Sequence, residues 1–402
     1  MNFTALYGNF CNKREIERRY ASLEEKCRAA GPSTAFYSSP GRAEILGNHT
    51  DHQAGEVIVS ALSCDIVAGV AKRDDGVVEI CSAGFSPIRF SVKDTTPKDG
   101  EKGRSASIAK GIVAALRAKG YEVGGFSAYT DSTVFRGAGV SSSAAFEVLV
   151  AEICNDLYLG GRLSKTEKAV VAQFAENEYF GKPCGLLDPC GVSYGGLNRI
   201  DFKHPESPVV ERLALPKGYA LVLVNTGGSH SGLTEYYASI KEEMSEVARF
   251  FSKKTLREVP YFLFLDRVNR LREKFGERAV LRALHYFDEN RRVDLAAKAL
   301  KEGNVSCFLE QVSRSGRSSV AYLQNAFVPG STVQPILLAL ALSERIVKDG
   351  AVRLHGGGFA GTILAVLKEE ETAKYLSEMK KVFGDKNVFL ARLRSLGACR
   401  VK

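Results

Sequence analysis

The run Arg136-Gly137-Ala138-Gly139-Val140-Ser141-Ser142-Ser143-Ala144-Ala145-Phe146-Glu147 sets two alternate glycines before three hydroxyl residues. Glycine lets a backbone turn sharply and approach a ligand closely. The apolar pattern over 142–159 predicts a helix directly after it. The first N–H groups of a helix lack intrahelical partners and carry partial positive charge. A glycine turn joined to such an end can cradle a phosphate, and the serine hydroxyls can add hydrogen bonds or a magnesium ligand. The segment lacks the Gly-Lys-Ser/Thr of a Walker A loop, and Ser142 stands where the third glycine of G-x-G-x-x-G would be. A serine cap after a glycine-rich turn is the other reading of the same residues.

A second cluster fills residues 40–55, where Arg42, Glu44, Asn48, His49, Asp51, His52 and Gln53 are punctuated by glycines. Its donors and acceptors suit a polyhydroxyl ligand. Asp51 can accept two hydroxyls at once, and His49 can donate or accept. A polar surface loop with Asx turns, or a metal site from His49, Asp51 and His52, are the alternatives. The run Leu354-His355-Gly356-Gly357-Gly358-Phe359-Ala360-Gly361-Thr362 brings backbone close to something, either a ligand or another backbone. Residues 175–189 carry Glu176 on a predicted helix and then deliver Asp188 from a Pro-Gly loop. Asp188 in that apolar setting is either functional or the cap of the next element in the chain.

The elements that must position these groups alternate along the chain. Ile16, Tyr20, Leu23 and Cys27 predict a helix within the first thirty residues. Strands are predicted at 35–37, 57–62, 66–71, 77–81 and 88–92, then an exposed loop over 93–105. Helices at 108–119, 142–159 and 165–180 enclose a strand at 125–129. A strand at 219–225 precedes a helical region from 233 to about 323, and helix 333–348, strand 362–366 and helix 372–383 follow. The break at Lys203-His204-Pro205-Glu206-Ser207-Pro208 suggests a division into residues 1–205 and 206–402.

Composition narrows the class. The 402 residues exceed one ordinary core. No run of 18 or more apolar residues appears, so no membrane partner is expected. The charged start, Met1 to Tyr20, lacks the apolar stretch of a signal peptide. The nine cysteines include no C-x-x-C, and the expectation is reduced thiols in a cytoplasmic protein. Lys plus Arg is 55 against 46 for Asp plus Glu, a net charge of +9. That charge is dispersed with no nucleic-acid-binding signature, so no nucleic-acid partner is expected, although an anionic ligand is favoured.

The four motifs, in this order, resemble the GHMP small-molecule kinases, and the galactokinase branch in particular. Pro40-Gly41-Arg42 through Asn48-His49-Thr50-Asp51 resembles the galactokinase signature, and Gly137 to Ala145 the family's phosphate loop. Ala175-Glu176-Asn177-Glu178 with Pro183 to Asp188 resembles the catalytic segment, and Gly356 to Gly361 the third motif. The resemblance implies an α+β fold of two lobes with the active site in the cleft between them. It implies ATP-dependent phosphorylation of the anomeric hydroxyl of galactose, giving galactose 1-phosphate and ADP. By position, Asp188 would be the catalytic base and Arg42 its charge partner. Gly137, Ala138, Gly139, Val140, Ser141, Ser142 and Ser143 would bind ATP, and Ser142 and Glu176 would hold Mg2+. Asn48, His49, Asp51, Gly185 and Tyr236 match sugar-contacting positions. A monomer is expected, with a dimer as the alternative.

Three departures bear on the substrate. Galactokinases usually carry Glu at the place of Asn48, where it contacts the sugar O6, Asn at the place of Glu44, and Tyr at the place of His52. A Trp and an Asn near the adenine site are replaced by Ser105 and Ser107, and the chain has no Trp. The plant galacturonate kinases also show Asp-His-Gln at 51–53. The resemblance therefore admits a galactose relative such as galacturonate as substrate. It also admits a catalytically silent sugar-sensing regulator, against which the retained Asp188, Arg42 and Ser142 argue.

Overall fold

The computed structural model describes residues 3–8, 12–28, 34–98, 100–134, 139–228 and 232–401. Twelve strands fall within them: β1 Ala35–Leu46, β2 Glu56–Arg73, β3 Val77–Ser82, β4 Ile88–Ser91, β5 Gly125–Ser132, β6 Leu197–Asp201, β7 Val209–Leu213, β8 Tyr219–Asn225, β9 Gly350–His355, β10 Thr362–Lys368, β11 Val388–Ala391 and β12 Cys399–Arg400. An eight-stranded sheet runs β12-β1-β2-β5-β3-β4, with β6 branching from β2 and β7 paired to β6. The branch follows from the 18-residue length of β2. Its first part, from Glu56 to Ser60, pairs with β6, and its second, from Ile66 to Arg73, pairs with β5. A four-stranded antiparallel sheet runs β11-β8-β10-β9.

The predicted strand at 35–37 continues to Leu46, through the polar motif. All twelve residues of β1 are buried, Arg42 and Glu44 included, so polar side chains that suggest a loop are here paired inside the protein. The β1–β2 register shifts between Pro40 and Arg42 and again between Glu44 and Leu46. Such bulges bend a strand and re-aim its side chains, and these two flank Arg42 and Glu44. The predicted helix over 165–180 is α-helical across Lys165–Phe174 and a wider π-turn across Ala175–Phe180, ended by Gly181. Such π-turns concentrate at functional positions, and this one carries Glu176.

The helices Glu277–Glu302 and Val305–Ser318 join the two sheets. Val293, Ala296, Phe308 and Val312 share one buried cluster with Ile45 and Ile58 of the first sheet and Leu364 and Val366 of the second. The helices Pro335–Ile346 and Thr372–Phe383 cover the second sheet through Ile336, Leu340, Tyr375 and Met379. The glycine run 356–358 turns between β9 and β10 and faces the first sheet.

Candidate active site

Arg42 on β1 meets Asp188, which lies in the first turn of the helix Leu187–Tyr194. The contact is bidentate: Nε to Oδ1 at 2.6 Å and Nη2 to Oδ2 at 2.7 Å. The Ser141 hydroxyl donates to the same Oδ2 at 2.7 Å, and the third guanidinium nitrogen donates to the Gly139 carbonyl. Burial alone would raise the Asp188 carboxyl, but the Arg42 guanidinium and the Ser141 hydroxyl outweigh it and hold the group at about 2. The Arg42 side chain is 6% exposed and that of Asp188 30%, so the carboxylate is the member of the pair open to a ligand.

Val140, Ser141, Ser142 and Ser143 form the entry to the helix Ser142–Leu159. Ser141 has a positive φ of 57° and makes no side-chain cap, its hydroxyl being turned to Asp188. The Arg42 N–H donates to the Val140 carbonyl at 3.0 Å, which fixes the loop to β1. The first turn of the helix has no acidic residue, so its positive end is not neutralised from within. Gly139 must be glycine. Its φ is +69°, and a Cβ there would lie 2.8 Å from Thr362 Oγ1. Gly137 and Ala138 lie outside the described residues.

Glu176 is 2% exposed and pairs with Lys182 Nζ at 3.0 Å. Lys182 is shifted up: burial opposes its charge, but Glu176 and then Asp188 outweigh that. Among the described residues no group of three or more His, Cys, Asp or Glu side chains could hold a metal ion. Magnesium asks for less, since it takes one or two carboxylates and keeps several waters.

The sugar-signature residues are fixed by their neighbours. Asp51 opens a one-turn helix, and its Oδ2 receives the Leu187 N–H at 3.1 Å. A Cβ at Gly185 would lie 1.8 Å from that oxygen, so only glycine admits Asp51 against the segment leading to Asp188. His49 Nε2 donates to the Gly357 carbonyl at 2.9 Å, and the ring stacks on His52. Its buried surroundings, then His52, push His49 down to about 3. Asn48 is 1% exposed and spent inside the protein. Its amide donates to Glu44 Oε1 at 2.9 Å and to the Gly356 carbonyl at 2.8 Å, and accepts from Asn325 at 2.8 Å. Tyr236 is half-buried against Phe359, beside the glycine turn. The structure thus gathers Arg42, Asp188, Ser141, Asp51 and Gly185 directly, draws His49 and Tyr236 to the glycine turn, and leaves Asn48 no free polar atom.

The partners that hold Glu44 and the signature turn had no role in the sequence reading. Glu44 pairs with Arg353 Nη2 at 2.9 Å, both fully enclosed. Burial raises the Glu44 carboxyl while Arg353 pulls it back. His355 Nε2 accepts the Glu44 N–H at 3.0 Å, so the neutral ring carries its proton on Nδ1, toward Gly139. Burial and then Arg42 keep it neutral, well below the usual histidine range. His285 and Glu289 hold the backbone of Gly47 and Asn48 from the long helix. Arg353, His285 and Glu289 are each a single ordinary residue in a regular element, with no local signal in the sequence.

Residues 107–196 match the family model of the GHMP kinases N-terminal domain, and residues 23–72 match the galactokinase galactose-binding signature. The crystal structure of Lactococcus lactis galactokinase complexed with galactose is similar over 95% of this chain and 99% of that one, with 23% identity and a TM-score of 0.83. The Methanococcus jannaschii mevalonate kinase structure is similar over 90% of this chain and 98% of that one, at 14% identity and a TM-score of 0.63. The matched N-terminal domain, set in this fold, supports a GHMP kinase, an ATP-dependent small-molecule kinase. The galactose-binding signature matched over residues 23–72 supports the galactokinase branch of that family, a branch of sugar kinases. Among the described residues no helix is long and apolar enough to cross a membrane.

Proposed function

We propose that this chain transfers the γ-phosphoryl group of ATP to the anomeric hydroxyl of galactose, giving galactose 1-phosphate and ADP. The observation that carries the reading is the ionised Asp188, clamped by Arg42, capped by Ser141 of the phosphate loop and tied through Gly185 to Asp51 of the sugar signature. The sugar oxygen forms its bond to phosphorus as the bond to the bridging oxygen of ADP breaks. The hydroxyl proton passes to Asp188 and then to solvent. A carboxyl held at about 2 is a weak base. Its main contribution is therefore to orient the hydroxyl and accept the proton late, which suits a loose phosphoryl transition state. Arg42 would offset charge between sugar and phosphate. The loop from Gly137 to Ser143, Ala138 included, would cradle the ATP phosphates on the helix end.

Ser142 and Glu176 would hold Mg2+, and their hard oxygen donors fit that ion. When bound, the metal neutralises charge on the β- and γ-phosphates. His49, Asp51, Gly185 and Tyr236 would line the sugar subsite, with Asn48 behind them. The two lobes are proposed as residues 1–205 and 206–402, with the C-terminus returning to the first. The reading places a monomer in the cytoplasm and requires no nucleic-acid or membrane partner.

A specific observation favours a second substrate. The signature carboxylate stands at Glu44, spent on Arg353, and position 48 holds a neutral amide that is itself spent on Glu44, Gly356 and Asn325. That arrangement removes a negative charge from the expected O6 side and suits a galactose relative such as galacturonate. ADP release with Mg-ATP over galactose, N-acetylgalactosamine, arabinose, glucose and galacturonate decides between them, and turnover with none would overturn the kinase reading. Asp188→Asn is expected to bind sugar while losing roughly 10²–10⁴ in kcat; unchanged turnover would mean that the base is elsewhere.

A further inference from the structure

Glu147 lies on the helix Ser142–Leu159, one turn after Ser143. Helical side chains lean back toward the N-terminus and over the residue four before, so this one leans toward the serine turn. Glu147 is 0% exposed, and neither carboxylate oxygen has a hydrogen-bond partner. Protonation would not resolve this, because a buried carboxylic acid also needs a partner for its hydroxyl and its carbonyl. An enclosed acid with two orphaned oxygens calls for a partner that the chain itself does not supply, such as a cation or the water on one.

The surroundings carry the same sign. Glu147 lies within electrostatic reach of Glu176, Lys182 and Asp188. Arg42 is committed to Asp188 by two hydrogen bonds. Lys182 is committed to Glu176 by a side chain that is 59% exposed. Three carboxylates thus face two basic groups, and Glu147 is the one left over. Burial, then Glu176, hold its carboxyl well above the usual range.

We propose that Glu147 is a second carboxylate of a divalent-cation site, acting with Glu176 beside the serine turn, either directly or through a metal-bound water. This rests on the reading of Glu176 as a metal ligand and adds a residue to it. Two carboxylates and a hydroxyl suit magnesium, which fills its remaining positions with water and phosphate oxygens. Both carboxylates belong to the free chain, so the site is expected to take a cation without nucleotide.

Mn2+ binding to the nucleotide-free protein, read from the loss of the free-ion EPR signal, tests this. The wild type is expected to bind one equivalent, with Mg2+ competing. Glu147→Gln keeps the shape and removes the charge, and should weaken Mn2+ binding at least tenfold. Glu147→Asp, which keeps a shorter carboxylate, should recover part of the loss. Circular dichroism and the unfolding midpoint without metal establish that each variant is folded. Should Gln fail to fold, the Asp variant and the rise in wild-type unfolding midpoint with Mn2+ still decide, since both must respond to the metal. Full affinity in folded Glu147→Gln, with affinity lost in Glu176→Gln, would overturn the role of Glu147 and leave Glu176 standing. Full affinity in both variants would overturn the two-carboxylate site and the Glu176 assignment together.

Discussion

Glu44 and Asn48 share one hydrogen bond and one counter-ion, so neither can be changed alone without affecting the other. Glu44 Oε1 receives both Arg353 Nη2 and Asn48 Nδ2 at 2.9 Å. Asn48→Glu would set two carboxylates against one buried guanidinium. Like charges in contact resist joint ionisation, and an uncompensated buried charge costs about 3–5 kcal/mol. The single variant is therefore expected to unfold well below the wild type. The exchange Glu44→Asn with Asn48→Glu keeps one carboxylate, one amide and Arg353, and should recover most of the midpoint. It should also shift kcat/KM toward galactose relative to galacturonate. Equal midpoints for the single and double variants would show that these groups are not coupled. The residues that the sequence made legible here are those of unusual type in glycine-punctuated runs: Arg42, Asp51, Gly185 and Asp188. Glu44 was visible only as a departure from a family pattern. Its partner Arg353 was not, because no spacing rule links positions 309 apart in the chain.

At the scale of elements, the sugar-signature turn is held from outside by the helix Glu277–Glu302. Its periodicity was readable, but its role was not. His285, Glu289 and Arg292 fall at helical spacing on one face. Glu289 Oε1 receives the Gly47 N–H at 3.0 Å and the Ser315 hydroxyl at 2.5 Å, while Oε2 receives Arg292 Nε at 2.8 Å. His285 Nε2 donates to the Asn48 carbonyl at 3.0 Å, and Nδ1 accepts from Ser318 at 2.8 Å. A ring in that position must be neutral to accept from Ser318. Burial holds it at about 4, with Glu289 opposing the shift and Arg292 and Arg353 adding to it. The folded value lies below the ordinary 6.5, so the unfolded chain takes up protons first as pH falls. The stabilisation is complete above 6.5 and is lost progressively toward 4. The ceiling is on the order of 3 kcal/mol for this one group. Burial would raise Glu289, but Arg292 and His285 outweigh it and hold the carboxyl at about 2, so its contribution is lost only as pH falls from its ordinary 4.5, at the acid end of that window. Unfolding midpoints measured from pH 7 to 4.5 should therefore fall in the wild type and fall less steeply in His285→Gln. Identical slopes would remove His285 as the titrating group. The extension of β1 through residues 38–46 was hidden for a related reason. A strand with buried, paired polar residues carries no alternation to read.

Across the whole molecule, the C-terminal residues return to the first sheet and close it. The Arg394 N–H donates to the Ala61 carbonyl at 3.0 Å, Ala398 to Val192 at 3.1 Å and Val401 to Phe36 at 2.7 Å. Strand β12 covers the outer edge of β1, so an edge open to unwanted pairing is protected. No composition signal marks such a return, because it depends on contacts more than 200 residues apart. The return is locked by Arg394, whose side chain is 0% exposed. It donates to the Ser38 hydroxyl at 2.7 Å and lies 3.5 Å from Asp65. Asp65, equally enclosed, also receives the Tyr7 hydroxyl at 2.7 Å and Arg19 at 3.0 Å. One carboxylate thus joins the N-terminal helices, β1, β2 and the C-terminal return. Removing one partner of a buried charge cluster is costly, whereas replacing the whole cluster with apolar groups need not be. Arg394→Leu is expected to lose less than a broken isolated pair, about 2–3 kcal/mol, because Arg19 still neutralises Asp65. Arg19→Leu combined with Arg394→Leu strands the carboxylate and should lose more than the sum of the two single variants. Denaturant unfolding of the four proteins measures that coupling. Additive losses would mean that the two arginines do not share Asp65.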